Sequence, residues 1–212
     1  TLMFPLYMLV VALATLVSSG MSSMLARHLG ACRVHEARGV FAGAHGLAIT
    51  LGLSLIALFF LFGKSVVLVA AGGSATLAEM GLVYLRITVL AAPMVFVLSV
   101  NSDALRNEGL VILMAVTSLL ISFANIGFNF VLIGMLEMGV AGSAYGTALA
   151  QAMALGIILT FRTLGDTALR PSVFWQQSPF KCWGSIHGLG APQSQKFVGL
   201  SLGSAAILAA LQ

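Results

Sequence analysis

Six apolar stretches, about Leu2–Leu25, Gly39–Gly63, Thr76–Val100, Leu110–Ile133, Val140–Phe161 and Leu189–Leu211, take up most of this chain. Polar residues gather between them. Each stretch is long enough to cross the roughly 30 Å hydrocarbon core of a bilayer as a helix. The pattern therefore predicts an all-α polytopic membrane protein with about six transmembrane helices. The first stretch lacks a basic leader and stays apolar past the length of a signal-peptide core, so it is read as a span. Ser18, Ser19, Gly20, Ser22 and Ser23 give it a small-residue face suited to close helix packing. Lys64–Ala75 reads as a short, nearly uncharged loop.

Polar groups inside such helices are costly, and they mark helix contacts or function. The densest set lies in Asn125–Gln151, two apolar arms joined by a break at Gly134–Gly139. Asn125 and Asn129 are four residues apart and stack on one helix face. The second arm opens with Gly142, Ser143, Ala144, Gly146 and Thr147, and the Gly142/Gly146 pair lets two backbones approach closely. A tight hairpin with an inward polar stripe is expected. Asn125, Asn129 and Thr147 are its candidate cavity or cation contacts. The alternative is helix–helix hydrogen bonding worth about 0.6 kcal/mol per contact. Tyr145 and Gln151 join the candidates, with helix bonding as the plainer role.

Other polar residues read more simply. His45 is expected to be hydrogen-bonded on a helix interior, with a proton relay as the alternative. Glu79 and Arg86 share a helix face toward one end of the third span and read as interfacial groups, with Tyr84 as an anchor. Pro93 is expected to kink that span.

Composition narrows the class. The chain of 212 residues is 59% hydrophobic and 8% charged, against about 25% charged in soluble domains. Such a chain cannot cover a water-facing surface. Its ten Lys and Arg residues, net charge +4, form no dense patch, so they are read as topology signals rather than a nucleic-acid surface. Arg27, Arg33, Arg38, Arg106, Arg162, Arg170 and Lys181 fall on alternate loops, predicted to be cytoplasmic, and Lys64 on the opposite side. The last inner loop, about 25 residues, also holds Trp175 and Trp183. Asp103 and Arg106, in the inner loop Asn101–Glu108, would set orientation or gate an inner mouth. Cys32 and Cys182 fit no metal-ligand spacing. No Ser-His-Asp, Cys-His or carboxylate pair stands at an active-site spacing, which argues against an enzyme.

Four stretches resemble the multidrug and toxic compound extrusion (MATE) transporters. Ser22–Ala37 is similar to the loop after that family's second helix, with its Ala-Arg-x-x-Gly-Ala pattern. Tyr84–Gly109 resembles the fourth helix, with a Tyr-Leu-Arg-Ile entry, a mid-helix Pro and a Leu-Arg-x-x-Gly exit. Asn125–Gln151 resembles the fifth and sixth helices, and Gly188–Gln193 the start of the seventh. The resemblance implies helices two to seven of a twelve-helix fold. Residues 1–165 would be an N-terminal bundle lacking its first helix, 166–186 a cytoplasmic inter-bundle loop, and 187–212 the first helix of a second bundle. The start at Thr1 and the orientation of the first span fit a chain that continues upstream.

That resemblance further implies a secondary active transporter of a bacterial inner membrane. It would extrude amphipathic or cationic compounds by antiport with Na⁺ or H⁺ through alternating access, without a cofactor. Its partners would be the lipid bilayer, the small-molecule substrate and a C-terminal bundle, with no nucleic acid. Many relatives carry a carboxylate where this chain has Asn129. Neutral Asn can coordinate Na⁺ through its carbonyl oxygen but releases no proton at physiological pH. Two alternatives stand beside this reading. One is a flippase of lipid-linked precursors or polysaccharides, which would want a cationic cavity wall and has only Arg86 to offer. The other is a truncated, non-transporting fragment.

Overall fold

A computed structural model describes residues 4–71, 74–165, 167–170 and 177–210. Among them six α-helices form and no strand. We number these α1 (Phe4–Gly30), α2 (Val34–Ala70), α3 (Ala75–Asn107), α4 (Val111–Asn129), α5 (Gly139–Leu164) and α6 (Trp183–Ala210). α1 to α5 are each long and apolar enough to span a membrane. The chain is a multi-pass membrane protein. α6 is not among those five, and its first half shows why: it carries Ser185, His187, Gln193, Ser194, Gln195 and Lys196.

The loop expected at Lys64–Ala75 is a correction. α2 continues through Lys64 to Ala70. Its 37 residues reach about 55 Å at 1.5 Å per residue, well beyond the hydrocarbon core. The helix persists because apolar residues resume after Ser65, and Val67 packs with Ala71, Ala78 and Leu85 in a small cluster of its own. Lys64 sits exposed on that helix, where its stem can lie along the apolar surface. α6 likewise begins earlier than its apolar run, at Trp183 rather than Leu189. α3 runs on through Pro93, which packs against Gly52 of α2.

The turns follow local sequence. α3 ends at Gly109, whose φ of 81° is the left-handed conformation that glycine tolerates. Leu110 N–H donates to Leu105 O and Gly109 N–H to Arg106 O, the paired bonds of a Schellman motif. The same bonds close α1, from Arg33 N–H to His28 O and from Cys32 N–H to Leu29 O, with Cys32 at φ 57°. α4 passes into a π-helical stretch, Phe130–Met135, and then turns sharply into α5. Glu137 and Gly139 both take positive φ there, inside the predicted break.

The main core lies between α1, α2 and α3, around Val17, Met21, Phe41, Ala44 and Phe96. Leu169 and Ile186 plug it from the segment after α5 and from α6. α1 and α6 cross with backbones touching: a Cβ on Gly20 would collide with Ile186 O, and one on Gly190 with Leu16 O. Of the small-residue face read from the sequence, Gly20 makes that crossing, while Ser22 accepts from Asn107 Nδ2 of α3 and Ser23 is exposed. By contrast, Ile112, Phe123, Ile126 and Phe130 stand exposed on the outer side of the α4 segment, an apolar face suited to lipid.

Candidate functional site

The hairpin of α4 and α5 carries a hydrogen-bonded ladder. Asn129 Nδ2 donates to Asn125 Oδ1 at 3.0 Å, and Asn125 Nδ2 donates to Thr147 Oγ1 at 3.0 Å. Thr147 Oγ1 in turn donates to Ser143 O at 3.0 Å. The four-residue spacing sets the two amides one above the other, and the small residues of α5 admit them. Asn129 Oδ1 lies directly against Gly146, in the space a side-chain Cβ would take. That oxygen is buried and accepts no hydrogen bond within the described residues. The π-helical stretch begins at the next residue.

A cavity of about 210 Å³ opens beside the ladder, between α1, α3 and α5. Tyr7, Thr15, Tyr84, Thr88, Thr147 and Gln151 put hydroxyls and an amide on an otherwise apolar wall. Thr147 belongs to both ladder and cavity. Asn125 and Asn129 stand behind it rather than on the wall. Tyr145, on the same helix, is 44% exposed and lines no part of this cavity. The structure thus brings four of the five candidates together and turns Tyr145 away.

Nearer the basic end lies a second buried polar set. Arg162, fully buried, donates from Nη1 to Glu108 Oε2 at 2.7 Å and to Leu169 O at 2.8 Å. Glu108 Oε1 accepts from Leu169 N–H at 3.0 Å. Arg162 also lies over the Phe41 ring, 5.0 Å from its centroid, within cation–π range. About two turns back along α3, Asn101 Nδ2 donates to His45 Nε2 at 2.9 Å, which leaves the His45 proton on Nδ1, 2.9 Å from Phe41 O. Both ring nitrogens are engaged, the arrangement of a structural histidine.

A family model described as MatE matches residues 1–131. The chain belongs to the MatE family. Solved MatE-type structures agree in fold. An inward-facing multidrug resistance MATE family transporter of the MOP superfamily superposes with a TM-score of 0.87 at 26% identity, over 95% of this chain and 46% of that one. An outward-facing multidrug resistance MATE family transporter of the MOP superfamily gives 0.84 at 25% identity, over 95% and 45%. A MOP superfamily transporter from Pyrococcus furiosus Vc1, described as having a binding pocket of reverse polarity that suggests a different function, gives 0.85 at 26% identity, over 95% and 44%. The chain spans less than half the length of these solved relatives. Comparison with curated proteins gives no match.

Within this MatE chain the remaining predicted residues lie away from the ladder and its cavity. Asp103 and Arg106 pair with each other at 3.3 Å across one helical turn. Arg86 is exposed on α3 and lines no part of the hydroxyl-rich cavity. Trp175 lies outside the described residues. The sequence reading missed Asn101, Glu108 and Arg162. Arg162 was legible only as a topology charge, because its partner is 54 residues away. Glu108 likewise gave no local signal, because its partners, Arg162 and the Leu169 backbone, lie 54 and 61 residues away.

Proposed function

We propose that this chain forms the N-terminal bundle, and with α6 the start of the second bundle, of a secondary active transporter in a bacterial inner membrane. The complete protein exports amphipathic or cationic compounds by antiport, alternating between inward- and outward-facing states. The observation carrying this reading is the Asn129–Asn125–Thr147 ladder, which ends on a cavity wall between apolar spans and leaves Asn129 Oδ1 buried without a donor among the described residues. A buried acceptor without a donor costs about 1–3 kcal/mol, which a coordinated cation would offset. Similar superposition on inward- and outward-facing relatives supports a bundle that moves largely as one body.

Of the two coupling ions, the ladder suits Na⁺. Amide and hydroxyl oxygens coordinate it as hard ligands, while neither side chain type carries a titratable proton near neutral pH. Arg86 stands off the cavity, and the described lining holds no Lys or Arg, which supports the antiport reading over a flippase. The test is Asn129→Leu in the complete protein, at unchanged expression. Coupled efflux should be lost or reduced at least tenfold, and normal coupled efflux would sink the assignment.

A further inference from the structure

At the basic end an open groove of about 610 Å³ lies between the last turns of α1 and the first turns of α6. Arg27, His28 and Arg33 line it, together with Met24, Ser185 and Leu189. Its chemistry is divided. Met24 and Leu189 form an apolar wall, while the two arginines, both exposed, bring positive charge to the mouth. Ser185 is the third residue of α6, so the positive end of that helix dipole faces the same space.

One carboxylate competes. Glu36 Oε2 sits 2.8 Å from His28 Nδ1 and 3.8 Å from Arg33 Nη1. Arg27 makes no ion pair among the described residues. Neutralisation is therefore partial, and a net positive groove remains. Its depth is informative too. The apolar span Tyr7–Gly30 ends at this groove, which sets it at headgroup level with Met24 on the hydrocarbon side. Basic recesses between membrane helices at that level recognise anionic headgroups.

We propose that this groove binds the phosphate of an anionic phospholipid, with the headgroup between Arg27 and Arg33 and the first acyl carbons against Met24 and Leu189. Exposed arginines hold a phosphate by charge-assisted bonds, and the apolar wall selects a lipid over a free anion. Such a lipid would bridge α1 to α6, which also meet at the Gly20/Gly190 crossing.

Native mass spectrometry of the complete protein tests this, with phosphatidylglycerol or phosphatidylcholine of matched acyl chains titrated in. Phosphatidylglycerol should bind about tenfold more tightly. Arg27→Gln and Arg33→Gln should each reduce that preference about fivefold, while Arg106→Gln, an exposed arginine of the same end outside the groove, should leave it unchanged. Glu36→Gln should tighten binding by freeing Arg33. Measuring lipid occupancy only on the folded monomer peak keeps a folding defect in one variant from deciding the outcome. Equal binding of the two lipids would overturn the site, and so would an Arg106→Gln effect as large as that of Arg27→Gln. Displacement of phosphatidylglycerol by millimolar inorganic phosphate would overturn the lipid assignment in favour of a free anion.

Discussion

Arg162 and Glu108 meet at 2.7 Å with both side chains withdrawn from the surface, the arginine wholly and the carboxylate to 4% exposure. The pair joins the end of α5 to the end of α3 and clamps the backbone of Leu169 between them. Arg38 Nε adds a bond to Ala168 O at 3.0 Å. Farther along, Trp183 Nε1 donates to Gly43 O at 3.0 Å. The segment that follows α5 is thus fastened across the basic end of the bundle at both its beginning and its end.

Breaking that pair from one side leaves an uncompensated buried charge. Glu108→Gln or Arg162→Met should each cost about 3–5 kcal/mol, whereas the double replacement by apolar residues should recover much of the loss. Thermal unfolding in detergent, arranged as a double-mutant cycle, reads the coupling directly. Additive single losses would show that the two groups act independently.

The glycines make a graded series. Gly190→Ala and Gly20→Ala push a Cβ into backbone carbonyls of the facing helix, so each should destabilise by about 1–3 kcal/mol. Gly156, in α5, has open space around it, and Gly156→Ala should be neutral or stabilising by up to about 1 kcal/mol. Unfolding midpoints that fail to separate these substitutions would contradict the close α1–α6 crossing.

Gly146→Ala addresses the ladder without touching its polar atoms. The new methyl would occupy the place of Asn129 Oδ1 and push that amide aside. Coupled efflux by the complete protein should fall as it does for Asn129→Leu, with a stability loss of about 1–3 kcal/mol. Stability loss with full retention of efflux would mean that the ladder only joins helices.

Cys32 holds a left-handed conformation at the end of α1, at φ 57°. A non-glycine residue there is strained by about 1–2 kcal/mol. Cys32→Gly should therefore raise the unfolding midpoint, after a small entropic loss in the unfolded state. A lowered midpoint would count against the Schellman geometry at that turn.

Much of this molecule was written along the chain. Uninterrupted apolar runs specify membrane helices because backbone polar groups in lipid must bond within their own segment. The i,i+4 spacing of Asn125 and Asn129 and the small residues at Gly142 and Gly146 fix the hairpin locally, and the structure keeps it. The nearly uncharged stretch Lys64–Ala75 reads as a loop, but Val67 packing carries α2 on to Ala70, a contact with α3 that local pattern does not reveal.

Pattern alone therefore determined the class and the α4–α5 hairpin, since each depends on neighbours within a few turns, while the family came from the resemblance of four separate stretches. Only tertiary structure decided which polar residues meet across helices. It joined Arg162 to Glu108 and Asn101 to His45, set Asn125 behind Thr147, and turned Tyr145 outward. Those outcomes depend on how helices rotate and cross, which is settled by close backbone contacts such as Gly20 with Ile186 and Gly190 with Leu16, between residues far apart in sequence.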